Sequence, residues 1–147
     1  MRIPDKRACE LATCTVPADA AQLTVLTSFL RKFCSATSLA SMHVKTFELA
    51  LEEIFINVVR HGTRPDRVPS VEVSLVMATD GLTMTIEDDS PQFDPLSLPA
   101  PDVTAALAER PIGGLGVFLV RQMMDEVKYQ RVGTRNRLSM TKYHART

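Results

Sequence analysis

The stretch LALEEIFINVVRHG, from Leu49 to Gly62, sets Glu53, Asn57 and His61 one helical turn apart among apolar neighbours. Helix positions four apart project side by side from consecutive turns, so a carboxylate, an amide and an imidazole would share one strip. Asn57 offers a neutral oxygen of the kind that hard Mg²⁺ accepts alongside water and phosphate oxygens. Glu53 is a carboxylate able to hold a water or hydroxyl nucleophile and take its proton. On a helical wheel of about 100° per residue, Phe47, Leu51, Ile54, Phe55, Val58 and Gly62 share one side, the expected core face. Glu53, Asn57, Arg60 and His61 gather on roughly the opposite side, while Glu48 and Glu52 read as an ordinary solvated flank. Leu49, Ala50 and Ile56 beside the polar strip place it at the border of a groove. A solvated strip without any role would show the same spacing, so the motif has to be weighed with others.

A second motif, TIEDDSPQFDP, puts acids at the end of an expected strand, where a long loop begins. A carboxylate there can accept a hydrogen bond from an exocyclic amine such as that of adenine, a contact that orients a ligand in an apolar pocket. Asp88 is preferred to Asp89 for this role, although Asp and Pro also start plain turns. The third motif, RPIGGLGVFLV, carries Gly113, Gly114 and Gly116 directly before an apolar helix. Glycines let backbone approach phosphate oxygens closely, and free amides with the helix dipole attract the anion. The stretch is neither GxxxxGK[ST] nor a GxGxxG following a strand, which sets aside the P-loop and Rossmann readings.

Several elements must position these motifs. ELATCTVPA reads as a first strand, and Asp19 to about Phe33 as a helix behind an Asp cap. A second helix runs from about Ser41 to His61 with Gly62 as its stop. SVEVSLVMATDGLTMTIED alternates on both sides of Asp80-Gly81, a hairpin pattern. From Ser90 to Pro111 five prolines frame a loop with one short helical piece, DVTAALAE; a loop this long in a compact domain is functional or disordered. GGLGVFLVRQMMDEV then opens a helix on glycines, and VKYQRVGTRNRLSMTKY supplies two strands around Gly133. This order predicts an α+β two-layer sandwich, helices on one face of a mainly antiparallel sheet.

A length of 147 residues with 45% hydrophobic content suits one domain over residues 1–147. Seventeen basic residues balance seventeen acidic ones, which argues against nucleic-acid binding and favours a protein or small-ligand partner. The charged start MRIPDKRACE has no apolar leader, and no apolar run nears the roughly 20 residues that cross a bilayer, so a cytoplasmic location without membrane attachment is expected. Cys9, Cys14 and Cys34 lack metal-ligand spacing and read as reduced thiols in or near the core.

In order and setting, LALEEIFINVVRHG, EDDSPQFDP and GGLGVFLVRQMMDEVKY resemble the N box and the two glycine boxes of the gyrase, heat-shock chaperone, histidine kinase and mismatch-repair ATPases. The small anti-sigma-factor serine/threonine kinases of that superfamily are the most similar, and the resemblance runs through nearly the whole chain. It implies the histidine-kinase-like (Bergerat) fold, with ATP and Mg²⁺ as cofactors. Glu53 would be the general base, Asn57 the magnesium ligand and Asp88 the adenine contact. Gly113, Gly114, Leu115 and Gly116 would cradle phosphates, His61 would belong to the nucleotide site, residues 90–111 would form the ATP lid, and Arg110 would pair with the terminal phosphate. The implied partners are an anti-sigma-factor antagonist, phosphorylated on serine, and a sigma factor; relatives often dimerise, so a homodimer is a further expectation. Ser90 and Gln92 depart from the first glycine box, and GTRNR leaves the family's threonine contact to adenine unassigned. Two rival functions are a nucleotide-binding module that sequesters a partner without phosphotransfer, and the ATPase half of a sensor histidine kinase. The second lacks room here for a helical segment carrying a phosphorylated His.

Overall fold

The computed structural model describes residues 10–37, 41–97 and 114–144. Five strands, β1 (Glu10–Pro17), β2 (Ser70–Met77), β3 (Gly81–Asp88), β4 (Glu126–Val132) and β5 (Arg135–Tyr143), form one antiparallel sheet in the order β1-β2-β3-β5-β4. Three helices, α1 (Leu23–Ser35), α2 (Ser41–Gly62) and α3 (Gly114–Met123), cover one face. This is the expected two-layer α+β architecture.

Strand alternation decides which face is covered. Val71, Val73, Leu75 and Met77 of β2 and Leu82, Met84 and Ile86 of β3 are buried at every second position. Leu138 and Met140 of β5 continue these rows. The opposite face carries hydroxyls and charges: Thr83 pairs with Thr141 at 2.8 Å, Thr85 with Ser139 at 3.2 Å, and Glu87 with both Arg135 and Arg137. A one-residue slip of register would bury this polar set, so the pattern specifies the pairing.

Asp19 caps the entry to α1 by accepting from the Ala21 amide at 3.0 Å, and a short 3-10 turn, Ala20–Gln22, precedes the helix itself. In α2, Phe47, Leu51, Ile54 and Phe55 are buried as expected, and Glu48 of the solvated flank pairs with Arg31 of α1. One expectation for α2 fails, since the polar strip is not uniformly turned away from the core: Asn57, two turns on from Ala50 and on the same side of the helix, is only 4% exposed, while His61 at the helix end stays exposed. Ala50, beside the polar strip, is fully buried as well, because α2 lies between α1 and α3 and is covered laterally as well as from the sheet.

Gly62 ends α2, but not through the left-handed conformation of a glycine cap, since among the described residues the one positive φ belongs to Gly133. A Cβ at Gly62 would stand 2.8 Å from the Ser90 Cβ and 3.2 Å from the Pro69 ring. Close packing on the segment after β3 is therefore what calls for glycine there. Cys34 is buried and Cys14 half-buried, both as free thiols, and Cys9 lies outside the described residues. No helix among the described residues is long and apolar enough to cross a membrane.

Candidate functional site

The inward rows of β3 and β5 both end in polar residues. Counting by two, Leu82, Met84 and Ile86 lead to Asp88, and Met140 and Leu138 lead back to Asn136. The two are direct cross-strand partners, 4% and 5% exposed. Above them α2 presents Ile54, Asn57, Val58 and His61, and a pocket forms whose empty space, open mouth included, is about 400 Å³. Ile54, Val58, Ile86 and Leu138 give it apolar walls, while Asn57, Asp88, Ser90 and Asn136 are its buried polar groups. A mostly apolar cleft with a few convergent polar groups is the usual form of a small-molecule site.

Asp88 rather than Asp89 faces this pocket. Asp89, one step out of phase, accepts from the Ser70 amide at 2.8 Å and pairs with Arg67 at 2.9 Å. Oδ1 of Asp88 accepts from the Ser90 amide at 3.0 Å, from the Ser90 hydroxyl, and from Nδ2 of Asn136 at 3.0 Å. Ser90, which departs from the glycine expected at this place, thus anchors the carboxylate through both its backbone and its side chain. The exposed His61 ring stacks on Phe93, with centroids 4.5 Å apart and planes at 20°, joining the end of α2 to the segment after β3.

Asn57 is buried, and its Nδ2 has no hydrogen-bond partner among the described residues. A buried amide without a partner costs about 1–3 kcal/mol, so its persistence on a pocket wall is evidence of a ligand's place. Nδ2 is the buried atom of the amide, which leaves Oδ1 as the one able to meet a ligand, and an amide oxygen is the donor type Mg²⁺ takes in company with phosphate and water. The residues present therefore fit the ion.

Glu53 lies beside the pocket rather than on it. Its carboxylate rests against α3 so closely that a Cβ at Gly116 would be 1.9 Å from Oε2. Gly114 and Gly116 belong to the first turn of α3, so the helix opens on glycines as expected and they stand within it rather than before it. The first turn of a helix characteristically presents backbone amides, and the helix dipole there favours anions. Leu115 lies in the same turn, whereas Gly113 and Arg110 lie outside the described residues, as does residues 98–111 of the expected lid. The described part of that segment closes with a 3-10 turn, Pro95–Ser97, and Arg121 of α3 reaches the Leu96 carbonyl at 3.4 Å.

Tyr129 and Asn136 complete the pocket and went unnoticed in sequence. Burial pushes the Tyr129 phenol up; Arg131 opposes this, while Asp94 and Asp88 add to it, so the group remains a hydrogen-bond donor. Thr134, by contrast, is exposed and lines a separate open cleft with Arg67 and Arg131. Asn136 is the polar β5 side chain that meets the pocket.

With this geometry in view, the profile of the histidine kinase-like ATPase domain matches residues 16–142. The chain belongs to that family. The family match runs from the end of β1 almost to the end of β5 and takes in α2 and α3, and ATP is the nucleotide that an ATPase domain implies. Similar curated proteins are named kinases. The serine-protein kinase RsbW of Bacillus licheniformis is 27% identical over 145 residues, covering 94% of this chain and 88% of its own. The serine/threonine-protein kinase BtrW of Bordetella bronchiseptica is 27% identical over 100 residues, covering 68% and 70%. Among solved structures, that of the RsbU and RsbW domains of Rv1364c from Mycobacterium tuberculosis superposes with a TM-score of 0.65 at 14% identity. It covers 90% of this chain, which spans 32% of the length of that one. The resemblance read from the three motifs is thus borne out at the level of fold and of kinase-named relatives.

Proposed function

We propose that this single-domain protein is an ATP-dependent serine/threonine kinase of the cytoplasm, an anti-sigma regulatory factor that phosphorylates a serine of its antagonist and also binds a sigma factor. The observation that carries the reading is one pocket holding the buried amide of Asn57 and the buried carboxylate of Asp88, with Glu53 set against the first turn of α3 beside it. Oδ2 of Asp88 accepts the exocyclic amine of adenine, while Ile54, Val58, Ile86 and Leu138 exclude water from the base. The amides of the first turn of α3 hold phosphate oxygens. Glu53 takes the proton of the attacking serine hydroxyl. Asn57 would hold Mg²⁺, and the ion would supply neutralisation of phosphate charge during phosphoryl transfer.

The kinase names of relatives at 27% identity support the same assignment. Incubating the protein with ATP radiolabelled on its γ-phosphate and candidate antagonists from the same genome tests it. Label on an antagonist serine supports the kinase; nucleotide binding with no transfer to any candidate favours the sequestering module instead.

A further inference from the structure

Asn136 has spent all of its hydrogen-bonding capacity on the protein. Its Nδ2 donates to Oδ1 of Asp88 at 3.0 Å and to the Pro91 carbonyl at 3.1 Å, with longer contacts to the Ser90 carbonyl and hydroxyl at 3.4 and 3.3 Å. Its Oδ1 accepts from the Phe93 amide at 3.1 Å, the Tyr129 hydroxyl at 2.6 Å and Nη1 of Arg131 at 3.1 Å. The orientation of this amide is dictated by its surroundings, since Phe93 and Arg131 can only donate on one side and Pro91 can only accept on the other. A ligand would find no free group on Asn136. What Asn136 does hold is the Asp88 carboxylate and the chain from Ser90 to Phe93, both against β4 and β5.

We infer that Asn136 is a positioning residue for nucleobase selection: by occupying Oδ1 of Asp88 and pinning the Ser90–Phe93 segment, it leaves Oδ2 as the one acceptor turned to a purine. The inference rests on the nucleotide-site reading above and deepens it. Among the described residues no hydrogen bond reaches Oδ2, whereas Oδ1 takes three. A carboxylate oxygen fixed in this way accepts an N–H and repels a carbonyl oxygen, so the site selects a purine with an exocyclic amine over one with an oxo group at the same position. If Asn136 is removed, the carboxylate turns more freely and the Phe93 amide, the Tyr129 hydroxyl and Arg131 lose their common acceptor. The sharp discrimination should then go, even where nucleotide still binds.

The test compares adenosine diphosphate with inosine diphosphate, in which an oxo group replaces the amine, by calorimetry on the full chain. The readout is the ratio of their two affinities, which a uniform loss of stability would not move. The wild type should favour adenosine diphosphate, and Asn136→Ala should reduce that preference by about tenfold, the value of a hydrogen bond to a charged group. Tyr129→Phe removes only the hydroxyl on Oδ1 of Asn136 and should reduce the preference by a smaller factor with its melting temperature close to that of the wild type. It provides the measurement should Asn136→Ala fail to fold. An unchanged ratio in Tyr129→Phe, and in Asn136→Ala if it folds, overturns the inference and leaves the kinase reading intact. A wild type that binds both nucleotides equally does the same. A wild type that binds neither removes the nucleotide reading itself, and this inference with it.

Discussion

The Glu53 carboxylate fills the space that a side chain at Gly116 would need: a Cβ built there would lie 1.9 Å from Oε2 and 2.4 Å from Cδ. The obstructing atoms are the far end of a flexible side chain, so Gly116→Ala can be accommodated by swinging Glu53 aside while the backbone stays in place. Alanine also favours helix by about 1 kcal/mol over glycine. The expected outcome is a protein of equal or higher melting temperature whose phosphotransfer is slowed because the carboxylate has lost its seat. Thermal melts read together with a transfer assay check this; a stable variant with full transfer would show that the placement of Glu53 is immaterial.

Gly62 poses the opposite case. A Cβ there meets the Cβ of Ser90 at 2.8 Å and Oγ at 3.0 Å, and Ser90 is tied to Asp88 through its amide and hydroxyl. Relief requires movement of the chain after β3, not of a side-chain tip. Gly62→Ala should therefore destabilise by about 1–3 kcal/mol, as overpacking of a close contact does. Nucleotide affinity should fall with it, because Asp88 loses its anchor. Urea denaturation and calorimetry measure the two effects.

How much of this was legible in sequence depends on which periodicity was counted. The strands, their alternation and the helical order follow from period-2 and period-3.6 patterns that tertiary packing reinforces. Asp88 could be chosen over Asp89 because the β3 row from Leu82 runs through it. The same count from Met140 through Leu138 leads to Asn136, and there lay the signal for the missed residue: a polar side chain in phase with a buried row. The wheel misplaced Asn57, on the same side of α2 as the buried Ala50, because lateral neighbours of the helix are invisible to a single-helix pattern. The Tyr129 hydroxyl, the His61–Phe93 stack and the contact between Glu53 and Gly116 join distant parts of the chain, and no local pattern encodes them.

Asp88→Asn should weaken nucleotide binding for a reason set by its neighbours. Three donors converge on Oδ1, so the amide oxygen of the replacement takes that place and its NH₂ turns to the pocket. Donor then faces donor at the adenine amine. The loss should be about 1–3 kcal/mol in calorimetry with little change in the melting temperature. Unaltered affinity would remove Asp88 from the site.

Cys34 gives a pH dependence. Burial, with the Glu48 charge adding to it, pushes its thiol from 9.0 up to about 11. The folded value is raised, so the stabilisation from the neutral thiol is fully present below about 9 and is lost as pH climbs towards about 11, where the unfolded chain has already released its proton. Wild type should therefore lose more stability across that window than Cys34→Ala. Near neutral pH the half-buried Cys14 should alkylate ahead of Cys34, which peptide mapping by mass spectrometry would detect.

The final prediction separates a kinase from a module that only binds. Glu53 lies beside the pocket and Asn57 on its wall, so the two should fail differently when altered. Glu53→Gln keeps shape but not basicity, and phosphotransfer to the antagonist serine should drop by about 10²–10⁴-fold, the usual contribution of a positioned general base. Affinity for ATP should hardly change, because the carboxylate has no direct part in holding the base. Asn57→Ala strips the buried amide from the pocket and should damage both transfer and magnesium-dependent binding. Parental transfer in Glu53→Gln would show that this carboxylate takes no proton, and the strip on α2 would then serve binding alone.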